Sequence, residues 1–357
     1  MIKRRKTRTV SVGNVKIGSD HPVSIQSMTK TDTSNVEATV RQIRDLESAG
    51  CEIVRVAVKN IEDAKAIKNI KQDIIIPLVA DIHFDCELAI EAIEQGADKI
   101  RVNPGNIYKS NEVEKIIDSA SSANIPIRIG VNSGSLRGDT RGSGDIADRM
   151  VKSALEYIDL FRKKRFHNLI ISLKGSEVPS TVKAYRKIAK ECDYPLHLGI
   201  TAAGLPHEGV VRSSVGLGAL LMDGIGDTIR VSLTGNPLLE VDTGRRILNS
   251  IGTRHFGPHI IACPTCGRCQ VDLVSIVKEL EEELKPAAGR QPQITDKQLV
   301  IAVMGCEVNG PGEAKDADIG IAFGKGKGAI FRRGQVIKTV EADTSVKELM
   351  EMIKKEI

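Results

Sequence analysis

The sequence predicts an α/β protein, an eight-stranded (β/α)8 TIM barrel followed by a small α+β domain. Three observations carry this. From residue 22 to about 232 one unit recurs, a short β-branched run, a polar loop and then a helical pattern. Most of the runs are apolar throughout rather than alternating, as parallel strands covered on both faces should be. Past residue 257 the pattern changes, and four of the seven cysteines gather there.

The predicted strands are 22–28, 52–58, 74–80, 98–102, 126–131, 168–173, 195–200 and 228–233. Amphipathic helices are expected over 35–49, 61–71, 86–95, 111–123, 146–163, 178–190, 208–222 and 237–250. Several of these end at Gly50, Gly96 or Asn124, residues that tolerate the left-handed backbone of a helix C-terminus. Eight strand–helix units match the barrel better than an open doubly wound sheet, which seldom needs eight. The expected domains are therefore residues 1–257, the barrel, and 258–357, the α+β module. Within the latter, 260–262, 299–304, 319–323, 329–331 and 335–340 read as strands. Residues 271–284 and 345–355 read as helices, and 286–292 as a Pro/Gly linker.

Composition excludes several classes. A hydrophobic content of 41% with 27% charged residues is that of a globular chain, and aromatic content of 3% makes the core aliphatic. A net charge of +5 over 357 residues is too diffuse for nucleic acid. The basic start MIKRRKTR has no apolar stretch after it, and no run of eighteen apolar residues occurs, so neither a secretion signal nor a membrane span is expected. The expected location is the cytoplasm. Thiols stay reduced there, and clustered cysteines read as metal ligands.

Four strands carry an arginine inside the apolar run: Arg55, Arg101, Arg128 and Arg230, and a fifth ends in Ser172-Leu173-Lys174. Singly, each could pair with a carboxylate. Together, five cations round one mouth would stand ~8–10 Å apart and repel by roughly 2 kcal/mol per pair at an effective dielectric near 20. Asp81 is the clearest acid on those strand ends. A phosphate or diphosphate would relieve the repulsion, because arginine forks suit phosphate oxygens. The following loops, with His83, Asn103, Asn132 and Ser232, add polar groups to the pocket. His83 reads equally as a proton donor or as a histidine satisfied in the core.

Cys263-Pro264-Thr265-Cys266-Gly267-Arg268-Cys269, with Met304-Gly305-Cys306 downstream, describes a closed metal site for either zinc or an iron–sulfur cluster. Spacing alone does not choose between them.

The phrases VSIQSMTKTDT, EIVRVAV, LVADIHFD, IRVNPGNI, IPIRIGVNSGSL, HLGIT, GIGDTIRVSL, ACPTCGR and MGCEVNGPGE run in order through the chain. It resembles the 4-hydroxy-3-methylbut-2-enyl diphosphate synthases of the non-mevalonate isoprenoid pathway, in their short bacterial form. The resemblance implies a two-electron reductive ring opening of 2-C-methyl-D-erythritol 2,4-cyclodiphosphate with loss of water. It implies a [4Fe-4S] cluster held by Cys263, Cys266, Cys306 and Glu313 in the C-terminal domain, and electrons from flavodoxin or ferredoxin. It places the diphosphate among Arg55, Arg101, Arg128, Lys174 and Arg230, helped by Asn103, Asn132, Ser172 and Ser232, with Glu313, His83 and Asp81 in catalytic roles. It further implies a homodimer in which one subunit's metal module closes over the partner's barrel.

Two positions depart from the pattern. Ala202 follows HLGIT where the family pattern has glutamate, with Glu208 as a stand-in, and Cys269 is an extra thiol beside the cluster loop. Two other readings compete. One is a pterin-dependent or other barrel enzyme on a phosphorylated substrate, with a structural metal module. The other is a zinc-stabilised binding protein whose arginines face RNA phosphate.

Overall fold

The computed structural model describes residues 2–136, 144–284, 298–308 and 314–354. The chain forms two compact units, Met1–Arg254 and His255–Ile357.

The first unit opens with a hairpin, β1 (Val10–Val12) and β2 (Val15–Ile17). Then come β3 (Ser24–Met28), α1 (Val36–Ser48), β4 (Ile53–Val58), α2 (Ile61–Gln72), β5 (Leu78–Ile82), α3 (Cys86–Glu94), β6 (Lys99–Val102) and α4 (Ser110–Ser122). The unit continues through β7 (Ile127–Asn132), α5 (Ile146–Lys163), β8 (Leu169–Lys174), α6 (Val178–Glu191), β9 (His197–Leu198), α7 (Pro206–Met222), β10 (Thr228–Ile229) and α8 (Leu238–Ser250). Strands β3 to β10 pair in parallel in the order β8-β7-β6-β5-β4-β3-β10-β9. An Ile171–Leu196 bridge and the Ile171 N–H donating to Pro195 O (2.9 Å) bring β8 to the β9 segment and close the barrel.

Local chemistry starts each helix. Asn35, Asn60, Asp85 and Asp145 accept a first-turn N–H at α1, α2, α3 and α5, and proline opens α6 and α7. Gly50, Gly96 and Asn124 take the left-handed conformation that ends α1, α3 and α4.

The third barrel strand starts at Leu78 rather than residue 74. Pro77 has no N–H to give, and Ile75 is 79% exposed, so a β-branched run here is loop. Strands β9 and β10 are two residues each, shorter than expected. The hairpin β1–β2 was not expected at all. Its Val10, Val12 and Ile17 pack on Ile53, Val79 and Ile170 at the strands' N-terminal ends and plug the barrel base. The basic N-terminus is structural: Arg4 pairs with Asp227 at 2.7 Å, and Arg5 donates to Tyr194 O at 2.7 Å.

The second unit contains β11 (His259–Ala262), α9 (Leu273–Glu283), β12 (Val300–Met304), β13 (Ile319–Gly324), β14 (Lys327–Arg332), β15 (Gln335–Glu341) and α10 (Ser345–Ile353). Its sheet runs β11-β12-β13-β14-β15, parallel through β13 and antiparallel after it. Ile301, Val303, Ile321 and Phe323 form its core with Leu280 of α9 and Leu349 and Ile353 of α10. Each fully buried aliphatic side chain contributes roughly 1.5–3 kcal/mol. The expected linker at 286–292 lies outside the described residues. No helix among the described residues is long and apolar enough to cross a membrane.

Candidate active site

Inward positions alternate along each strand, so the cations that interrupt the apolar runs all point into the barrel. Arg55 (β4), Arg101 (β6), Arg128 (β7) and Lys174 (β8) are buried, and the Arg230 side chain, just past β10, is 12% exposed. Lys99, two residues before Arg101, is inside as well.

Two buried carboxylates oppose these cations. Asp81 on β5 lies 3.2 Å from Arg101 and 3.7 Å from Arg55. Burial pushes its acidity down, but Arg55, the His83 contact and Arg101 outweigh that and hold the carboxyl well below the usual range. Glu240 on α8 lies 3.3 Å from Arg230 and accepts from Ser27 Oγ (3.0 Å) and the Leu233 N–H (3.1 Å). Lys30 reaches it at 3.2 Å. Sequence reasoning missed Glu240, because an acid in a helix's first turn looks like any solvated residue.

Six basic side chains, Arg55, Lys99, Arg101, Arg128, Lys174 and Arg230, thus face two carboxylates. Among the described residues, Arg128 Nε and Nη1 have no hydrogen-bond partner. Burial first, then Arg55 and Arg101, press the Arg128 guanidinium well below its ordinary range. Lys174 is lowered likewise, by burial and then Arg128 and Arg230, and stands 3.1 Å from His197 Nε2. Burial and Lys174 keep His197 neutral. The missed His197 was legible from alternation, two positions before Gly199.

The polar loop residues divide. His83 Nε2 lies 3.1 Å from Arg101 Nη1 and 3.4 Å from Asp81 Oδ2, so the ring sits at the edge of the Asp81–Arg101 pair. Asn103 is buried and spent on its own loop, donating to Ser135 Oγ at 2.9 Å and accepting from the Gly105 N–H at 3.0 Å. Ser172 is buried in β8, beside Gly130 of β7, while Asn132 and Ser232 are half-buried at the strand ends. Gly130 leaves room for Arg101, since a Cβ there would meet its guanidinium. Ala202 adopts a left-handed backbone, and Glu208 is exposed in the first turn of α7.

In the second unit, Cys263 follows directly on β11 and Cys306 lies two residues past β12, at the same ends of adjacent parallel strands. Both are buried, whereas Cys266 is exposed. The Gly305 N–H donates to Cys263 Sγ at 3.2 Å, and a Cβ on Gly305 would run into Cys269 Sγ. Cys269 donates to Val271 O at 3.3 Å. Among the described residues no three donor side chains already surround one point, and Glu313 lies outside those residues. An amide aimed at sulfur, with two thiols delivered by neighbouring strands, nevertheless fits thiolate ligation, since N–H groups stabilise the sulfur charge.

An interior richer in cations than in carboxylates, joined in one chain to a thiol-bearing unit, defines a barrel enzyme for a multiply charged anion with an appended metal-binding domain. The comparisons narrow this. A family model described as the GcpE TIM-barrel domain matches residues 7–245, and the GcpE protein C-terminal domain matches 259–355. The chain belongs to the GcpE family.

A relative from Clostridium perfringens is 51% identical over 354 residues, covering 99% of both chains. One from Thermodesulfovibrio yellowstonii is 51% identical over 357 residues, 99% of this chain and all of its own. Both are named 4-hydroxy-3-methylbut-2-en-1-yl diphosphate synthase (flavodoxin). A solved dihydropteroate synthase from Yersinia pestis matches at a TM-score of 0.52 and 12% identity, over 68% of this chain and 98% of its own. That likeness concerns the barrel fold alone.

Proposed function

We propose that this chain is an iron–sulfur oxidoreductase that converts 2-C-methyl-D-erythritol 2,4-cyclodiphosphate to (E)-4-hydroxy-3-methylbut-2-enyl diphosphate, with flavodoxin as electron donor. The full-length identity of about half to the synthases named above supports it, and the barrel's uncompensated cations carry it physically. Arg55, Arg101, Arg128, Lys174 and Arg230 hold the diphosphate, with Ser172, Asn132 and Ser232 at its margins. Asn103 shapes the loop behind it. Opening the ring breaks a carbon–oxygen bond to phosphate and leaves more negative charge on the diphosphate than the cyclic substrate carried. A fixed set of guanidiniums therefore binds the developing product-like charge more tightly than the substrate, which is the condition for catalysis.

Asp81 stays ionised and sets the directions of Arg55 and Arg101, while His83, beside both Asp81 and Arg101, is the proton donor at the pocket edge. Cys263, Cys266, Cys306 and Glu313 would hold a [4Fe-4S] cluster, which supplies two electrons one at a time and a Lewis-acidic iron. Of these, Glu313 would be the weaker, exchangeable ligand, since oxygen binds iron less tightly than thiolate does. Cys269 is a spectator thiol. Ferredoxin is the alternative donor, and the working form is a homodimer.

The test is anaerobic iron and sulfide analysis with EPR on wild type and Cys306→Ala, combined with conversion of the cyclic diphosphate. About four irons and four sulfides per chain, lost in the variant together with turnover, is the expected result. One zinc and no sulfide would remove the electron source and end this reading.

A further inference from the structure

The polar interior continues below the residues assigned so far. Met28 stands beside Arg55, Arg55 beside Val79, Val79 beside Lys99, and Arg101 beside Arg128. In an eight-stranded barrel each such step lowers the partner by about one residue along the axis, so inward side chains stack in layers from alternate strands. Arg55, Arg101, Ser172 and Arg230 share one layer. Gln26, Val79, Arg128 and His197 lie next beneath, and below them Ile53, Lys99, Ile170 and Thr228. The β1–β2 hairpin seals this base against Ile53, Val79 and Ile170.

Lys99 is 0% exposed, and its Nζ has no hydrogen-bond partner among the described residues. The same holds for Gln26, for Arg128 Nε and Nη1, for His197 Nδ1 and for Thr228 Oγ1. Except for the Gln26 carbonyl, these atoms are donors or able to donate. Asp98, next to Lys99 in sequence, is taken by Lys71 and by the Leu78 N–H. Buried donors with positive charge and so little to accept from them are arranged to face an anion.

We propose that Lys99 is a further anion-binding residue, the floor of the diphosphate site. This rests on the diphosphate reading above. The charged and titratable groups that act on it are Arg128 on β7, Arg55 on β4, His197 on β9 and its neighbour Asp98. Only Asp98 is negative, and Lys71 and the Leu78 N–H already hold it. Burial, then Arg128 and Arg55, lower the Lys99 ammonium well below the lysine range, and Asp98 offsets little of this. An entering diphosphate supplies the missing negative charge and restores the ammonium. Between the empty and the filled values, binding takes up a proton, and affinity falls as pH rises through the filled value.

The test is calorimetric titration of inorganic diphosphate into the full-length, cluster-loaded protein near pH 8, in buffers of different ionisation enthalpy. Wild type should show proton uptake. K99M should take up about one proton fewer and bind at least ~10-fold more weakly, with Lys174 accounting for any uptake that remains. K99R, always charged, should bind within a few-fold of wild type yet lose the same proton. K99M with wild-type affinity and uptake, or K99R with undiminished uptake, overturns the proposal. A wild type that binds no diphosphate overturns the reading of the whole site, and this inference with it.

Discussion

The barrel interior and the thiol end of the second unit are built on opposite principles. In the barrel, side chains make the site and the backbone recedes behind them: Gly130 yields its space to Arg101, and Asp81 and Glu240 set the directions of three arginines. At the thiol end the backbone makes the site. Two strand ends deliver Cys263 and Cys306, and the Gly305 amide addresses sulfur. The first site is tuned by charge and the second by chain path, so the same kind of substitution should break them differently.

Arg128→Met sharpens the contrast most. It removes a buried cation with unpartnered nitrogens. The empty protein should therefore gain about 1–3 kcal/mol in denaturant unfolding, while diphosphate affinity falls by two or more orders of magnitude. Loss of both stability and affinity would mean that Arg128 is an ordinary structural group.

Asp81→Asn should act in the opposite sense, costing about 3 kcal/mol at neutral pH because Arg55 and Arg101 lose their counterion. The sign with pH follows from the lowered folded value. Asp81 stabilises fully above the ordinary carboxylate pKa of about 3.9 and loses that contribution as pH falls through its own lower value. Acid unfolding curves should therefore be flatter for the variant.

The smallest effect is steric. Gly305→Ala should cost roughly 1–3 kcal/mol and lower iron content, because the new methyl meets Cys269 Sγ. Adding Cys269→Ala should restore the iron. If the double variant remains iron-poor, chain path is not what holds the thiol site.

How much of this was legible depended on contrast. A charge inside an apolar parallel strand is conspicuous, so Arg55, Arg101, Arg128, Lys174 and Arg230 could be read before the fold was known. The same alternation would have exposed Lys99 and His197. Glu240 had no such background, since an acid in a helix's first turn is commonplace, and only the close approach of α8 to Arg230 gives it meaning. The β1–β2 hairpin has three residues per strand, too few for a period to register. The Ile74–Ile76 run misled because β-branched residues mark strands only where a neighbour can accept their hydrogen bonds. The thiol motif gave the ligand types but not their arrangement.

The sealed base has a kinetic corollary. With Val10, Val12 and Ile17 packed on Ile53, Val79 and Ile170, the hairpin stops the end of the barrel opposite the proposed doorway at the strands' C-terminal ends. Under the proposed diphosphate site, product leaves by the route that substrate takes in, past the same arginines that would grip its diphosphate. Turnover then depends on how fast that grip loosens, and inorganic diphosphate should compete for the doorway as well as for the charge.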